Sequence, residues 1–421
     1  MAKVKVVVLG GSGVATPELA EAIARTPGRT EAIDLVLVGR SAGKLEQVAN
    51  VARLLSDNDP LLEISHTTDL DSALTGANYV INQIRVGGLQ ARAFDESFPL
   101  ELGLPGEETV GPGGFANASR TIPVVLEYAR RMEQICPDAV MLSFANPSSL
   151  VQYAVTSYTR VRTIGLCDSP ISLSRSIATA LGAPLEELTI DYVGMHHFGW
   201  VTGIWWRGRD VLPEALERAS QIAPDVEPGI VQTIGAIPGA YLNYVFHPDR
   251  MLARKIGKRP RAEELLELQD EILADYAASM TSGERPTAIE RRKARWYEAI
   301  IAPVLVALIE GTTCTPGAPG ARPGQFILNL VNGGAISWLP ADAVVELPAI
   351  LDHGQVRPLA PGMVPPDVRV LIQRNCTYEM LAVRAIVERD RALAIRALLL
   401  NPIIHTYDQA AAVLEQAWTG P

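Results

Sequence analysis

The chain has 421 residues, 48% apolar and 20% charged, a globular balance with material for two domains of ordinary size. Thirty-seven basic against 47 acidic residues give a formal net charge of −10, and with no basic block this argues against nucleic acid or an anionic membrane as partner. An anionic small molecule stays open, because a few local arginines outweigh a global sign. Cys136, Cys167, Cys314 and Cys376 stand far apart without CxxC spacing, which excludes a disulfide scaffold or a zinc ribbon and suits a reducing compartment. Met1–Gly10 runs straight into a strand and a glycine turn, leaving no place for a signal-peptide core. No apolar run approaches about 18 residues. The expectation is a soluble, cytoplasmic protein.

In chain order, Val4–Leu9 is a β-branched run, followed by Gly10-Gly11-Ser12-Gly13 and then Thr16-Pro17, where proline suits a first helical turn. Asp34–Val38, Leu61–Ser65, Asn78–Asn82, Ala139–Ser143 and Thr163–Leu166 read as further strands, and Ala118–Ile135 has helical periodicity. Strands without alternation, separated by helices, mean a parallel sheet covered on both faces. The expected fold is therefore α/β: a Rossmann-like, doubly wound parallel sheet over residues 1–170. The character changes after about residue 170, giving an α+β second domain over 171–421. There Asp191–Gly208 is rich in aromatics, and Glu263–Ser279 and Thr287–Glu310 look helical. Arg291-Arg292-Lys293 reads as a solvated face. Gly311–Gln325, with four glycines and three prolines, reads as a loop, Phe326–Val331 as a strand, and Pro366–Gln416 as amphipathic helices.

The glycine turn carries the first chemical signal. Gly11-Ser12-Gly13-Val14-Ala15-Thr16 matches GxGxx[G] with threonine at the third glycine position. Glycines let the backbone approach a pyrophosphate, and the helix start offers unpaired N–H groups. Gly10, Gly11, Ser12, Gly13 and Val14 are thus expected to hold a dinucleotide, with Arg40 and Asn82 at the ends of neighbouring strands. The acidic residue usual at the end of the second strand is missing, and Gly39-Arg40-Ser41 stands there instead, which leaves NAD and NADP both open. The long loop from Ile84 to Gly114, rich in Arg, Glu and Gly, leaves the carboxyl end of the fourth strand, where ligands of open α/β sheets bind. Cys167-Asp168 ends the sixth strand and His196-His197-Phe198-Gly199-Trp200 follows. A thiolate and an imidazole suit a borderline divalent ion with open positions for substrate oxygens. Taken singly, a cysteine after an apolar strand or a lone histidine is more often structural.

These residues together resemble glycoside hydrolase family 4, the NAD- and metal-dependent glycosidases, in particular its 6-phospho-β-glucosidase branch. The matching blocks are Arg85-Val86-Gly87-Gly88 with Arg92 and Asp95-Glu96, Glu108-Thr109-Val110-Gly111-Pro112-Gly113-Gly114, Asn146-Pro147, Cys167-Asp168-Ser169-Pro170, His197-Phe198-Gly199-Trp200 and Tyr241-Leu242-Asn243-Tyr244. The resemblance covers nearly the whole chain. It implies a lactate/malate-dehydrogenase-like fold and an exception to paired-carboxylate glycosidase chemistry. In that scheme NAD takes a hydride from C3 of the sugar, a metal acidifies the C2 proton, a base removes it, and the C1 substituent is eliminated. Water then adds and the hydride returns. The resemblance implies Cys167 and His197 as ligands of a divalent metal, commonly Mn²⁺, Tyr241 as the base and Asp168 as general acid. Asn146 and Glu108 would contact the sugar, and Arg92 and Arg261 would grip its 6-phosphate. It also suggests a homodimer or homotetramer acting on a phosphorylated glycoside.

Three departures bear on substrate. Asp168 is the residue expected of the phospho-α-glucosidase branch, where β-type members more often carry Asn. His196 replaces the usual Asn before the metal histidine, and the strand-two carboxylate is absent. A 6-phospho-α-glucosidase, or a family-4 enzyme acting on an unphosphorylated sugar, is therefore the alternative. Beyond these stand a 2-hydroxy-acid dehydrogenase and a silent NAD-binding sensor, neither of which needs Cys167, His197 and Tyr241 together.

Overall fold

The computed structural model describes residues 3–292, 294–311, 325–352 and 354–418. Lys293, Cys314 and the body of the Gly311–Gln325 loop lie outside the described residues. Strands β1 (Val4–Leu9), β2 (Ile33–Val38), β3 (Leu62–Thr67), β4 (Tyr79–Asn82), β5 (Val140–Ser143) and β6 (Arg162–Gly165) pair in parallel in the order 3-2-1-4-5-6. This is the dinucleotide-binding strand order. The period of two divides β1 between the faces. Val6 and Val8 pack with Leu19 and Ile23 of α1 (Thr16–Arg25), while Val7 and Leu9 pack with Phe115 and Ala118. Helices α2 (Ala42–Leu55), α3 (Leu70–Leu74), α4 (Gly88–Glu101), α5 (Gly111–Ile135), α6 (Ser148–Tyr158) and α7 (Ser169–Leu181) complete the doubly wound half.

The sheet then continues in antiparallel sense. β7 (Leu188–Met195) and β8 (Phe198–Trp206) form a hairpin, flanked by the two-residue strands β9 (Arg209–Asp210) and β10 (Ile237–Pro238). β11 (Gln325–Val331), β12 (Val344–Asp352) and β13 (Gln355–Pro358) form a meander. β11 and β12 lie between β6 and β7, so one sheet of 13 strands runs through the described residues. The joints are narrow: β6 meets β11 at Gly165 opposite Asn329, and β12 meets β7 at Glu346 opposite Gly194. The carboxyl-terminal helices, Pro366–Glu388, Arg391–Leu400 and Tyr407–Ala417, return to the first half and bury Tyr378, Val383, Leu398 and Val413 with Val125 of α5 and Val151 of α6. No helix among the described residues is long and apolar enough to cross a membrane.

Two elements depart from the expected ones. α5 begins at Gly111, seven residues before the periodic stretch. Thr287–Glu310 is a 3-10 turn (Ala288–Arg291), a π-helical turn (Tyr297–Ile301) and an α-helix (Ala302–Glu310) rather than one helix. Pro303 lacks the N–H that would bond the carbonyl of Ala299, which accounts for a changed bonding pattern just before it.

Candidate active site

The glycine turn closes over β1 and β2. Gly10 has φ +85°, and a Cβ on Gly11 would lie 2.8 Å from Leu37 and Val38 atoms, so these two positions need glycine for conformation and close approach. Thr16, at the third fingerprint position, is fully buried, and its Oγ1 accepts from Gln83 Nε2 at 3.0 Å. Gln83 in turn accepts from Tyr297 Oη at 2.9 Å, and Tyr276 Oη donates to the carbonyl of Val14 at 2.5 Å. The turn is thereby tied to the second half of the chain. In front of it lies a cleft of about 240 Å³ lined by Gly10, Gly13, Val14, Gln83, Arg85 and Asn146 among others. A backbone cradle at a helix start whose N-cap position carries no side-chain cap fits a dinucleotide pyrophosphate. Asn82, fully buried, donates from Nδ2 to Ser143 Oγ at 3.3 Å beneath the cleft, and its neighbour Gln83 takes the lining position. Arg40 is exposed just beyond β2.

Beside this cleft Cys167, His196 and His197 converge, each offering a donor atom within 4.8 Å of the others. Cys167 follows β6 by two residues, and the histidines form the two-residue turn between β7 and β8, where Met195 pairs with Phe198. His197 has φ +60°, a left-handed conformation that costs a non-glycine residue about 1–2 kcal/mol. Its ring is sandwiched: His196 stacks at 3.7 Å between centroids, and Tyr241 at 3.6 Å with 7° between planes.

Hydrogen bonding sets the tautomer of His197. Glu107 Oε2 accepts from the backbone N–H of Thr109 at 2.5 Å and of Val110 at 3.2 Å, and from the Thr109 hydroxyl at 2.6 Å. The threonine oxygen lies 2.9 Å from His197 Nδ1. With its own proton directed to the carboxylate, Thr109 accepts from Nδ1–H and leaves the Nε2 lone pair of His197 free to bind a metal. Burial holds His196 down at about 3 and lowers His197 well below 6.5, so both are neutral imidazoles, the ligating form. Burial, with Glu346 and Asp168 nearby, pushes the Cys167 thiol well above 9. A divalent ion displaces such a proton when a thiolate coordinates. A soft thiolate with neutral imidazoles is a donor set for a borderline transition metal, so the residues fit the ion expected from the sequence.

Asp168 stands at the N-cap position of α7 and is raised by burial. Tyr241 is raised well above 10 by burial and then by Glu107. Arg85 and Arg92 both engage Glu108, Arg92 at 2.9 Å, and Arg92 also bonds Glu96 at 2.8 Å. Glu96 reaches on to the backbone N–H of Ala262 at 3.0 Å, which brings the start of the helix Arg261–Ser282 beside α4. Arg261 itself is 55% exposed and pairs with Glu264. Thus Cys167, His197, Tyr241 and Asp168 come together, Asn146 opens onto the cleft, and Arg92 and Arg261 lie on adjoining elements with their charges partnered by carboxylates. The sequence reading missed Arg292. It is a wall of the cleft rather than a solvated face, its guanidinium stacks 4.7 Å over Trp296, and burial with Arg92 and Arg85 nearby lowers its pKa. Trp296, an aromatic four residues on in the stretch expected to be helical, was the available signal.

Comparison with known proteins finds likeness along nearly the whole chain. The model of family 4 glycosyl hydrolase matches residues 5–183, and that of the family's C-terminal domain matches residues 192–404. The chain is 30% identical over 419 residues to the 6-phospho-beta-glucosidase BglT of Thermotoga maritima, covering 98% of this chain and 97% of that one. It is 28% identical over 432 residues to the maltose-6′-phosphate glucosidase of Bacillus subtilis, with 97% and 94% covered. The solved structure of the Thermotoga maritima 6-phospho-beta glucosidase with manganese, NAD⁺ and glucose-6-phosphate matches with a TM-score of 0.85 at 28% identity, covering 98% of this chain and 97% of that one.

Proposed function

The chain belongs to glycosyl hydrolase family 4, and on that footing we propose that it hydrolyses 6-phospho-β-glucosides with NAD and a divalent metal, Mn²⁺ in the first place. The observation that carries this reading is the meeting of Cys167, His197 and Tyr241 beside the glycine-turn cleft. A 2-hydroxy-acid dehydrogenase needs neither the thiol–imidazole pair nor the stacked phenol. When bound, NAD accepts and returns a hydride at C3, and the metal polarises the neighbouring sugar oxygens.

The chain's own groups do the rest. Cys167 and the Nε2 of His197 hold the ion, with the imidazole plane set by Thr109 and the Tyr241 ring. Tyr241 takes the C2 proton as its phenolate; burial and Glu107 favour the protonated phenol, so the phenol must first give up its own proton, a loss that the positive charge of a divalent ion held by Cys167 and His197 would favour. Asp168, raised by burial, favours the protonated form that a general acid gives to the leaving oxygen. Arg292 on the cleft wall, and Arg92 and Arg261 on adjoining helices, supply positive charge for the 6-phosphate. The relatives named above include both glycosidases of β-linked and of maltose-type phosphosugars. The β preference follows the Gly87-Gly88-Leu89 block, whereas Asp168 favours the α-anomer. The protein works in the cytoplasm as a dimer or tetramer under this reading.

The test is release of p-nitrophenol from the β-glucoside 6-phosphate and its α-anomer, with NAD or NADP, with Mn²⁺ or chelator, and beside the unphosphorylated sugars. Turnover of the β-phosphosugar that requires both nucleotide and metal is the expected result. Turnover of unphosphorylated sugars alone would remove the phosphate role of the arginines. No dependence on nucleotide would overturn the reaction class.

A further inference from the structure

Glu346 is a fully buried acid near the start of β12, and the reaction described above makes no use of it. Its surroundings are specific. Tyr192 Oη of β7 donates to Oε2 at 2.7 Å, and Asn329 Nδ2 of β11 donates to Oε1 at 2.9 Å. Asn329 and Glu346 face each other across the β11–β12 ladder. They are also the two residues at which the antiparallel strands join the rest of the sheet, Asn329 opposite Gly165 of β6 and Glu346 opposite Gly194 of β7.

These joints sit immediately before the metal ligands. Cys167 comes two residues after Gly165, and His196 two residues after Gly194. The β6–β11 joint is built for close approach: a Cβ on Gly165 would lie 2.8 Å from the Asn329 Cβ and 3.0 Å from Ser148 Oγ. Gly194, at the other joint, is pressed against its hairpin partner β8, where a Cβ would run into Gly199 and the Phe198 carbonyl. β11 thus meets β6, and β12 meets β7, through a single paired position each, and side chains must do what a longer ladder would do elsewhere. The chain of contacts Gly165–Asn329–Glu346–Tyr192 spans the gap from the Cys167 strand to the histidine hairpin.

We propose that Glu346 is a positioning residue for the metal centre, its carboxyl group tying β11 to β7 and so setting the separation of Cys167 from His196 and His197. Metal ligands tolerate errors of only about 0.2 Å, and outer groups that orient ligands are worth about 10–100-fold in metal affinity. The inference rests on the reading of Cys167 and His197 as ligands.

The experiment titrates the full-length protein with Co²⁺ and with Mn²⁺, each alone. It reads the thiolate-to-cobalt charge-transfer absorption, the affinity of each ion by competition with a chelator, and separately the affinity for NAD. Glu346→Leu is expected to weaken both ions about tenfold or more and to shift or dim the charge-transfer band, with NAD affinity unchanged. Glu346→Gln is expected to restore the affinity to within about threefold, because an amide still accepts from Asn329 and can donate to the Tyr192 oxygen. A Glu346→Leu protein with unaltered ion affinity and band overturns the proposal. So does an equal loss in the Gln variant, or a parallel loss of NAD affinity, which would mark general destabilisation. Where Glu346→Leu does not fold, Tyr192→Phe decides: it removes one hydrogen bond and keeps the ring, and unchanged ion affinity there overturns the tie. Absence of Co²⁺ binding to the unmodified protein would instead refute the metal reading on which the proposal stands.

Discussion

His197 occupies a left-handed hairpin position between two stacked rings and donates its Nδ1–H to the Thr109 hydroxyl oxygen. A residue held at that backbone cost marks a place where ring placement outweighs local stability. The chemistry follows from neighbours brought together at this point. Tyr241→Phe removes the proton-accepting oxygen and keeps the stack, so kcat should fall about 100- to 10,000-fold while NAD affinity holds. Steady-state kinetics with exchange of the C2 proton into solvent checks this, since lost exchange separates the base from a structural role. Cys167→Ser should shift the metal requirement upward and abolish the cobalt–thiolate band. Near-normal exchange in both variants would remove their assigned roles. Among the cations, Arg292→Ala should raise KM for the phosphorylated glycoside about 10- to 100-fold, the scale of a hydrogen bond to a charged group. Arg261→Ala, exposed and paired with Glu264, should raise it less. Comparing the two variants on phosphorylated and unphosphorylated substrates decides which arginine serves the phosphate.

Elements show why some boundaries are readable and others are not. β1 lies where the β-branched run Val4–Leu9 predicts it, and β2 where the apolar run Asp34–Val38 does, because burial on both faces of a parallel sheet favours such short apolar runs. The start of α5 is concealed, since Gly111-Pro112-Gly113-Gly114 looks like a loop by propensity. In the structure those residues form the first turn of the helix, pressed against the backbone that carries the acidic loop. A Cβ on Gly113 would run into the carbonyl oxygens of Glu107 and Asp95, and one on Gly114 would lie 2.7 Å from the Thr109 carbonyl. Gly113→Ala should therefore destabilise the protein by about 3 kcal/mol. It should also loosen Glu107 and hence the Thr109–His197 bond, weakening metal affinity along with stability. Denaturant unfolding and a chelator competition on the same variant read both effects. A neutral Gly113→Ala would show that the loop can give way. The broken helix at Thr287–Glu310 has the same lesson: Pro303 is visible in the sequence, but that Arg292 and Trp296 turn inward to the cleft depends on what packs beneath them.

At the scale of the whole molecule, the sheet that joins the two halves and a helix that packs on them each carry a buried acid. Burial pushes Glu346 up to about 7 and Glu379, on the helix Pro366–Glu388, up to about 8, against the bond that Asn375 Nδ2 donates to Glu379 at 3.0 Å. A raised carboxyl pKa means that the folded chain keeps a proton the unfolded chain has shed. Stability attributable to Glu379 is thus complete below its unfolded value of 4.5 and declines as pH rises toward 8. The slope is at most about 1.4 kcal/mol per pH unit for this one proton. Glu379→Gln should flatten the pH dependence between 5.5 and 7.5 relative to the unmodified protein, and urea unfolding at those two pH values measures it. A variant with an unchanged slope would mean that the group ionises freely in the folded state.

By itself the sequence determined the class of fold, the order of the first six strands' runs, the glycine turn and the residues able to bind metal and move a proton, because burial, turn chemistry and donor type are written locally. Local pattern also made Cys167 and His197 candidates, while the family resemblance gave them roles and alone singled out Tyr241. Tertiary structure alone decided that they meet. Cys167 and the histidines sit just past the ends of strands β6 and β7, which are held apart in the sheet by β11 and β12 from far along the chain. Whether a given side chain ties those strands, as Glu346 does, or turns into the cleft, as Arg292 does, depends on which distant segment packs beside it. That partner is chosen by the closure of the whole sheet, and no period along the chain records it.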